Sequence, residues 1–557
     1  MTASPRERAG GEILADSLLA LGGDLIFCLP GESFLGFLAA AYDRRDRLRI
    51  VTCRQEGAAA YMAEAAGKLT GRPGLCYVTR GPGACNAAIG VHTAFQDSTP
   101  LVLMIGQVKR GLRGREAYQE VDFVRMFSPL AKHVEEIGSA ERIPEVIARA
   151  FALAQSGRPG PVVLSIPQDV LEERATAADP SPIAIAEAHP APDAVARLED
   201  LLAVAERPLA IVGGGDWNDE ATRRLAAFAE RWKLPVAVSF RRQDLIDNRS
   251  PVYAGELGTT LDPKLGGRIR EADLILAVGA RLGEVDTQGY TLLEAPHPHQ
   301  TLIHVQPSAD ELGRVYAPTL GIAASPGAFA SAVARSSPPK PPRWSAWTAT
   351  LTAEAAASRR PGPCPGTLDL GRIVADLADS LPDEAIICLG AGNYTGWVQR
   401  YYQFRLYGTQ LGPINGSMGY GVPAALAAAL LHPTRLVVGF AGDGCFMMAA
   451  QELSTAIQQG LKPIILVIDN GMYGTIRAHQ ERSYPGRTIA TDLVNPDFVR
   501  LAEAHGAWAA RVERTEDFGP AFAAARASGR LAVLALRLAP EALSTRATLP
   551  TSRGETR

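Results

Sequence analysis

Two apolar runs, each ending abruptly in a polar turn, constrain this chain more than any other feature. Leu436-Val437-Val438-Gly439-Phe440-Ala441 stops at Gly442-Asp443-Gly444, and Ile464-Ile465-Leu466-Val467-Ile468 stops at Asp469-Asn470-Gly471-Met472-Tyr473-Gly474. Between them Phe446, Ala450, Leu453 and Ile457 recur at spacings of four, three and four, which predicts one amphipathic helix. Strand, helix, strand is a βαβ unit. Its two strands run parallel and bring both polar tips to the carboxyl edge of the sheet, where open α/β sheets bind ligands.

The residues at those tips suit a divalent metal holding a diphosphate. Mg²⁺ takes hard oxygen ligands in an octahedron, one or two from the protein and the rest from phosphate and water. Asp443 offers a carboxylate oxygen, Asn470 an amide oxygen and Met472 its backbone carbonyl. Gly442 and Gly444 admit close backbone approach, and a helix starting near Cys445 turns its free N–H groups and positive dipole end toward the diphosphate. A lone Gly-Asp-Gly is far more often an ordinary turn. Two strand-end motifs 27 residues apart in one βαβ unit are much more specific.

On these motifs the chain resembles the thiamine diphosphate (ThDP) enzymes of the acetolactate synthase and pyruvate oxidase superfamily. The family signature is Gly-Asp-Gly, an apolar helix and strand, then a paired Asn; here the pair reads Asp469-Asn470, and the metal-ligating second member is kept. The resemblance implies an α/β fold of three doubly wound parallel-sheet domains: pyrimidine-binding (1–178), central (190–335) and diphosphate-binding (360–545). It also implies ThDP and Mg²⁺ as cofactors. Asp443, Asn470 and Met472 would ligate the metal, and Gly392, Asn393, Gly442, Gly444, Cys445, Tyr473 and Gly474 would contact the cofactor.

Two more parts of the cofactor site follow from the resemblance. Gly416-Ser417-Met418-Gly419-Tyr420-Gly421 matches the segment whose backbone carbonyl, at Gly416, accepts from the 4′-amino group, with Met418 as the apolar wedge that bends the two rings together. A glutamate bonded to N1′ of the aminopyrimidine activates the cofactor, and Glu56 fits that role. It follows the strand-like run Arg49 to Arg54 and opens an Ala-rich helix, Gly57 to Gly67. A glutamate at a helix start is ordinarily explained by the helix dipole. Its surroundings argue otherwise: Arg54 to Ala59, Gly81-Pro82-Gly83-Ala84-Cys85-Asn86, Gln96 to Leu101 and Gly106-Gln107-Val108 are similar, block by block, to the family's pyrimidine domain.

Composition agrees with a large enzyme that acts on small molecules. At 557 residues the chain is long enough for three domains, and a net charge of −3 with 21% charged residues provides no basic field for nucleic acid. No apolar run reaches the roughly 18 residues of a membrane span, and the N-terminus carries no signal-peptide core. The seven cysteines lie far apart without metal spacing and read as reduced core thiols of a cytoplasmic protein. Domain breaks are expected in the Ala/Pro-rich stretch 175–192 and at Ser336-Ser337-Pro338-Pro339-Lys340-Pro341-Pro342, with a loosely ordered tail after Ser544.

The middle segment repeats the strand-turn theme at Leu209 to Gly215 and Leu274 to Arg281. Family members hold FAD there through an Arg, matched by Arg281, and an acidic residue after a later strand. Here that strand reads His304-Val305-Gln306-Pro307-Ser308, without the carboxylate, so FAD is left open, and without it the domain is a spacer. For the substrate pocket, Gln119 matches a glutamine facing the reacting carbon, and His479 stands where acetolactate synthases carry a Trp. The loop Leu29-Pro30-Gly31-Glu32-Ser33 falls where related carboligases vary.

The function implied is a ThDP- and Mg²⁺-dependent carboligase of 2-oxo acids, acetolactate synthase-like, working as a homodimer or homotetramer with sites at the dimer interface. A ThDP-dependent 2-oxo acid decarboxylase or 2-hydroxyacyl lyase is the alternative reaction. A non-catalytic ThDP- or nucleotide-binding protein is the alternative class.

Overall fold

The computed structural model describes residues 6–545. It contains three six-stranded sheets in which every strand pair is parallel. Numbering strands along the chain within each sheet, the first and third sheets share the order 2-1-3-4-6-5, and the middle one runs 3-2-1-4-5-6. The latter is the doubly wound dinucleotide-binding order. Several strands are buried along their whole length, among them Leu101–Gln107 and Pro161–Pro167, because helices cover both faces of such sheets and leave no polar side.

Five elements of the first sheet matter here: β1 (Leu25–Cys28), β2 (Arg49–Thr52), α1 (Glu56–Thr70), β3 (Gly74–Val78) and α2 (Pro82–Asp97). In the third sheet they are β4 (Ile386–Leu389), β5 (Val437–Gly442), α3 (Asp443–Met447), α4 (Glu452–Gln459), β6 (Ile464–Asp469) and α5 (Gly474–Ser483). Contacts divide the chain into two compact units. One comprises Met1–Ala186 with Leu426–Leu431 and Ala449–Leu461; the other comprises the rest, including the middle and third sheets.

The sequence pattern and the structure part company at three places. The single helix expected over 446–457 is two helices, α3 and α4, joined by a turn at 448–451. The apolar residues keep a helical spacing across the turn, so the spacing alone reads as one helix. The start of the Ala/Pro stretch is a strand, Arg174–Thr176, paired antiparallel with Glu7–Ala9. Of the seven cysteines, Cys85 is exposed and Cys364 only half-buried, so these two are not core thiols. The expected tail lies, from residue 546 on, outside the described residues.

The segment at 336–342 is anchored where it begins. Ser336 Oγ accepts from Trp232 Nε1 at 3.0 Å, and the fully buried Trp232 stacks on Trp344 with ring centroids 6.4 Å apart. Trp344 in turn donates to Lys233 O at 2.9 Å. Trp232→Ala should therefore remove both core volume and the anchor, lowering stability by about 3–5 kcal/mol. Urea unfolding followed by tryptophan fluorescence measures this, and a change under about 1 kcal/mol would show that the ring is dispensable.

Candidate cofactor site

The sheet register sets the site. β5 and β6 pair from Val438↔Ile464 to Gly442↔Ile468, so the next residues, Asp443 and Asp469, leave the sheet side by side. β4 and β5 are strands one and three of their sheet, the pair at which the strand order reverses, and a crevice opens beyond the carboxyl ends of such a pair. A cavity of about 210 Å³ lies there. All twelve residues assigned to the cofactor from the sequence line it: Gly392 and Asn393 after β4, Gly416 and Met418, Gly442 to Cys445 after β5, and Asn470 with Met472 to Gly474 after β6. Trp397, Leu538 and Ala542 add apolar wall.

Asp443 is buried, 3% exposed, and its carboxylate accepts three hydrogen bonds: from Gly444 N at 2.9 Å, Gly471 N at 2.9 Å and Asn495 Nδ2 at 2.8 Å. Burial pushes its pKa up, neighbouring Asp469 adds to the rise, and the three donors oppose it. The basic side chain nearby is spent elsewhere, since Arg537 pairs with Asp469 at 2.7 Å. Asp443 is thus a buried carboxyl answered by amide N–H groups and no cation, an arrangement that a divalent metal suits. Asn470 Oδ1 accepts from Met472 N at a long 3.3 Å, and the Met472 carbonyl accepts from Gly474 N at 2.9 Å. Among the described residues no group of three His, Cys, Asp or Glu gathers to hold a metal. One carboxylate with amide and carbonyl oxygens suits Mg²⁺ completed by phosphate. The residues present fit ThDP with Mg²⁺.

Aromatic rings explain two of the glycines. A Cβ on Gly442 would lie 2.9 Å from Tyr394 Cε1, and one on Gly444 only 2.4 Å from Tyr473 Cε1. Neither Tyr394 nor Asn495 stands out in the sequence, because their contacts to Phe440, Cys445 and Asp443 span about fifty residues. Thr475 is a third such case, donating to Asn393 Oδ1 at 2.9 Å. Gly416 needs its glycine for backbone reasons, at φ 71°.

In the other unit, Glu56 opens α1 and is 8% exposed. Gln55 caps the helix by accepting from Ala58 N at 2.8 Å, and Asn86 Nδ2 on α2 donates to Glu56 Oε2 at 2.9 Å. Behind the turn, Glu452 of α4 is fully buried and accepts from Arg54 N at 3.0 Å and Thr455 Oγ1 at 2.6 Å. Burial raises the Glu452 pKa, and these donors partly offset the rise. Glu452 positions the turn that carries Glu56. Its partner lies 398 residues away, beyond the reach of any local pattern. Gln119 is half-buried at φ 63°, with its Cβ 2.9 Å from where a Cβ on Gly81 would lie. His479 does not join the cavity: it is exposed on α5, with Nδ1 at 2.5 Å from Arg482.

Three sequence models match the chain: the thiamine pyrophosphate enzyme N-terminal TPP binding domain over residues 8–126, the central domain over 195–333 and the C-terminal TPP binding domain over 390–536. The acetolactate synthase large subunit of Corynebacterium glutamicum is 33% identical over 545 residues, covering 94% of this chain and 86% of that protein. The chain belongs to the thiamine pyrophosphate enzymes. The acetolactate synthase isozyme 2 large subunit of Escherichia coli K12 is 30% identical over 518 residues, covering 91% of each chain. The probable acetolactate synthase large subunit of Methanocaldococcus jannaschii is 30% identical over 525 residues, covering 90% of this chain and 87% of that one. No described helix is long and apolar enough to cross a membrane.

The middle domain of this family member does not fit a flavin held in the expected way. Arg281 Nε is bonded to Glu311 at 3.1 Å, a carboxylate that is itself 8% exposed. Gln306 stands where an acid would read a ribose hydroxyl, and its amide donates to Ala280 O at 2.7 Å. At the strand-order reversal the two turns close on each other: a Cβ on Gly214 would sit 2.2 Å from Gly279 O.

Proposed function

We propose that the chain is a ThDP- and Mg²⁺-dependent carboligase of 2-oxo acids, of the acetolactate synthase kind. One 2-oxo acid such as pyruvate loses CO₂, and its remaining acyl carbon is joined to a second carbonyl. The observation that carries this reading is one cavity lined by all twelve assigned residues, buried Asp443 among them and without a cationic partner. End-to-end similarity to acetolactate synthase large subunits supports the choice of reaction.

Bound there, thiamine diphosphate supplies a carbon nucleophile and an electron sink. The side chains do the rest. Asp443, Asn470 and the Met472 carbonyl would hold the metal that neutralises the diphosphate. The Gly416 carbonyl and Met418 hold the ring end, while Glu56 keeps a proton at the ring nitrogen. Trp397, Leu538 and Ala542 would give the cofactor an apolar wall that disfavours water. Gln119 is assigned to the reacting carbon, and His479, exposed outside the cofactor cavity, could meet only substrate on its way in. No step calls on a flavin.

The test of the reaction is a panel of 2-oxo acids and aldehydes with products identified by mass. Pyruvate should give a five-carbon hydroxy-oxo acid, and acetaldehyde as the sole product would replace the reading by a decarboxylase. The active unit is taken to be a homodimer or homotetramer in which Glu56 of one copy serves the cofactor held by Asp443 of another. Mixing inactive Glu56→Gln and Asp443→Ala chains should then restore activity, because a mixed dimer contains one intact site. Mixtures that stay inactive, with subunit exchange verified by mass, would mean the site lies within one chain.

A further inference from the structure

The first sheet has the same strand order as the third, so its order also reverses between strands one and three, β1 and β3. Thr79-Arg80 follow β3 directly, and Glu32-Ser33 open the short 3-10 turn that follows β1. Ser33 Oγ and Thr79 Oγ1 lie 2.8 Å apart and fasten the two turns together. Beside them is an ion pair whose members differ sharply in exposure. Arg80 is 7% exposed, whereas the Glu32 side chain is 66% exposed.

The Arg80 guanidinium is held at one corner and incompletely used at the other. Its Nε donates to Tyr118 O at 3.2 Å, which fixes the head group against the backbone next to Gln119. Its Nη2 donates to Glu32 Oε1, and its Nη1 is buried with no hydrogen-bond partner. A carboxylate ordinarily takes both donors of this edge at once, and Arg is the residue whose planar fork matches it. Glu32 uses only one. Buried donors left unpaired are uncommon and call for an explanation, and here the free donor lies on the fork edge that matches a carboxylate. The same edge holds Glu56, since Gly83, three residues after Arg80, would place a Cβ 3.4 Å from Glu56 Oε1. Gln119 abuts Gly81, the residue next to Arg80.

We propose that Arg80 is the carboxylate-reading residue of the substrate pocket. Glu32 holds its place in the free enzyme with a single bond, and the carboxylate of a 2-oxo acid displaces the exposed Glu32 side chain to take Nη1 and Nη2 together. This rests on the 2-oxo acid reading above. It adds a specificity determinant: Arg80 selects a carbonyl compound that carries a carboxylate over an uncharged one. Glu32 acts as an internal competitor that tunes affinity.

The test is equilibrium binding to the ThDP- and Mg²⁺-saturated enzyme by calorimetry. Oxamate, a 2-oxo acid isostere that is not decarboxylated, is compared with its uncharged counterpart oxamide. Arg80→Gln should weaken oxamate at least about 20-fold and oxamide less than threefold, and Arg80→Lys should fall between, since it keeps the charge and loses the fork. Glu32→Ala should tighten oxamate about fivefold by removing the competitor, and this variant decides the matter should Arg80→Gln fail to fold. Equal losses for oxamate and oxamide, or no gain in Glu32→Ala, would overturn the proposal. Release of CO₂ from pyruvate by the wild-type enzyme tests the underlying reading separately. Arg80-dependent oxamate binding without CO₂ release would sink that reading and leave this inference standing.

Discussion

Glu56→Gln should cut turnover by about 10²–10⁴-fold while leaving ThDP affinity within a few-fold of wild type. The amide keeps the shape of the side chain and can still take the Asn86 bond that fixes Glu56 Oε2 at 2.9 Å. It cannot hold the proton that the ring nitrogen needs. Binding energy should survive because the diphosphate end is held by other residues. Two measurements check this: steady-state rate with saturating ThDP, and cofactor affinity by calorimetry. Exchange of the cofactor C2 proton, followed by NMR, gives a third readout that does not depend on substrate. Wild-type exchange in the variant would remove Glu56 from the mechanism.

Asp443→Ala should have the opposite signature, a collapse of cofactor affinity. Disturbing a residue behind a metal ligand typically costs 10–100-fold in metal affinity, so losing the charged ligand itself should exceed about 100-fold. Excess Mg²⁺ should restore only part of it. The burial of Asp443 adds a check on sign. Its folded pKa is raised, chiefly by burial, so the ionised form is disfavoured in the folded, metal-free protein. The associated stability is present below the unfolded pKa and lost as pH rises through the folded one. Metal-free Asp443→Asn should therefore melt no lower than wild type at pH 8, even though it binds cofactor poorly. A large drop in melting temperature with unchanged ThDP binding would mean that Asp443 is a turn residue serving the fold.

What the sequence disclosed, and what it did not, follows from the range of the interactions. The β5 and β6 tips were legible because strand, turn and ligand are contiguous, and the parallel register that brings Asp443 beside Asp469 follows from the βαβ unit alone. The break between α3 and α4 was not, because Phe446, Ala450, Leu453 and Ile457 keep a helical spacing across it; Ile457 is in fact 41% exposed. Contacts that support the site from afar were equally hidden. Asn495 bridging Asp443 and Asp469, Tyr394 filling the space beside Gly442, and Glu452 under the Glu56 turn are set by tertiary packing and leave no local pattern. His479 shows the same limit from the other side: its place in the chain suggests the cleft, and the helix turns it to an exposed face. The Arg80–Glu32 pair was half visible. The loop containing Glu32 was flagged as variable, but its partner could be found only from the strand order that brings β1 and β3 together.

The central claim is that this chain joins carbon after decarboxylation. It is tested most directly with pyruvate labelled with ¹³C at C1, incubated with ThDP and Mg²⁺, with the label followed by NMR and mass spectrometry. The account predicts that one labelled carbon leaves as CO₂ for every two pyruvates consumed, and that the other stays in the carboxylate of a five-carbon product. Release of all the label as CO₂ with acetaldehyde accumulating, or no consumption of any 2-oxo acid by the cofactor-saturated enzyme, would contradict it.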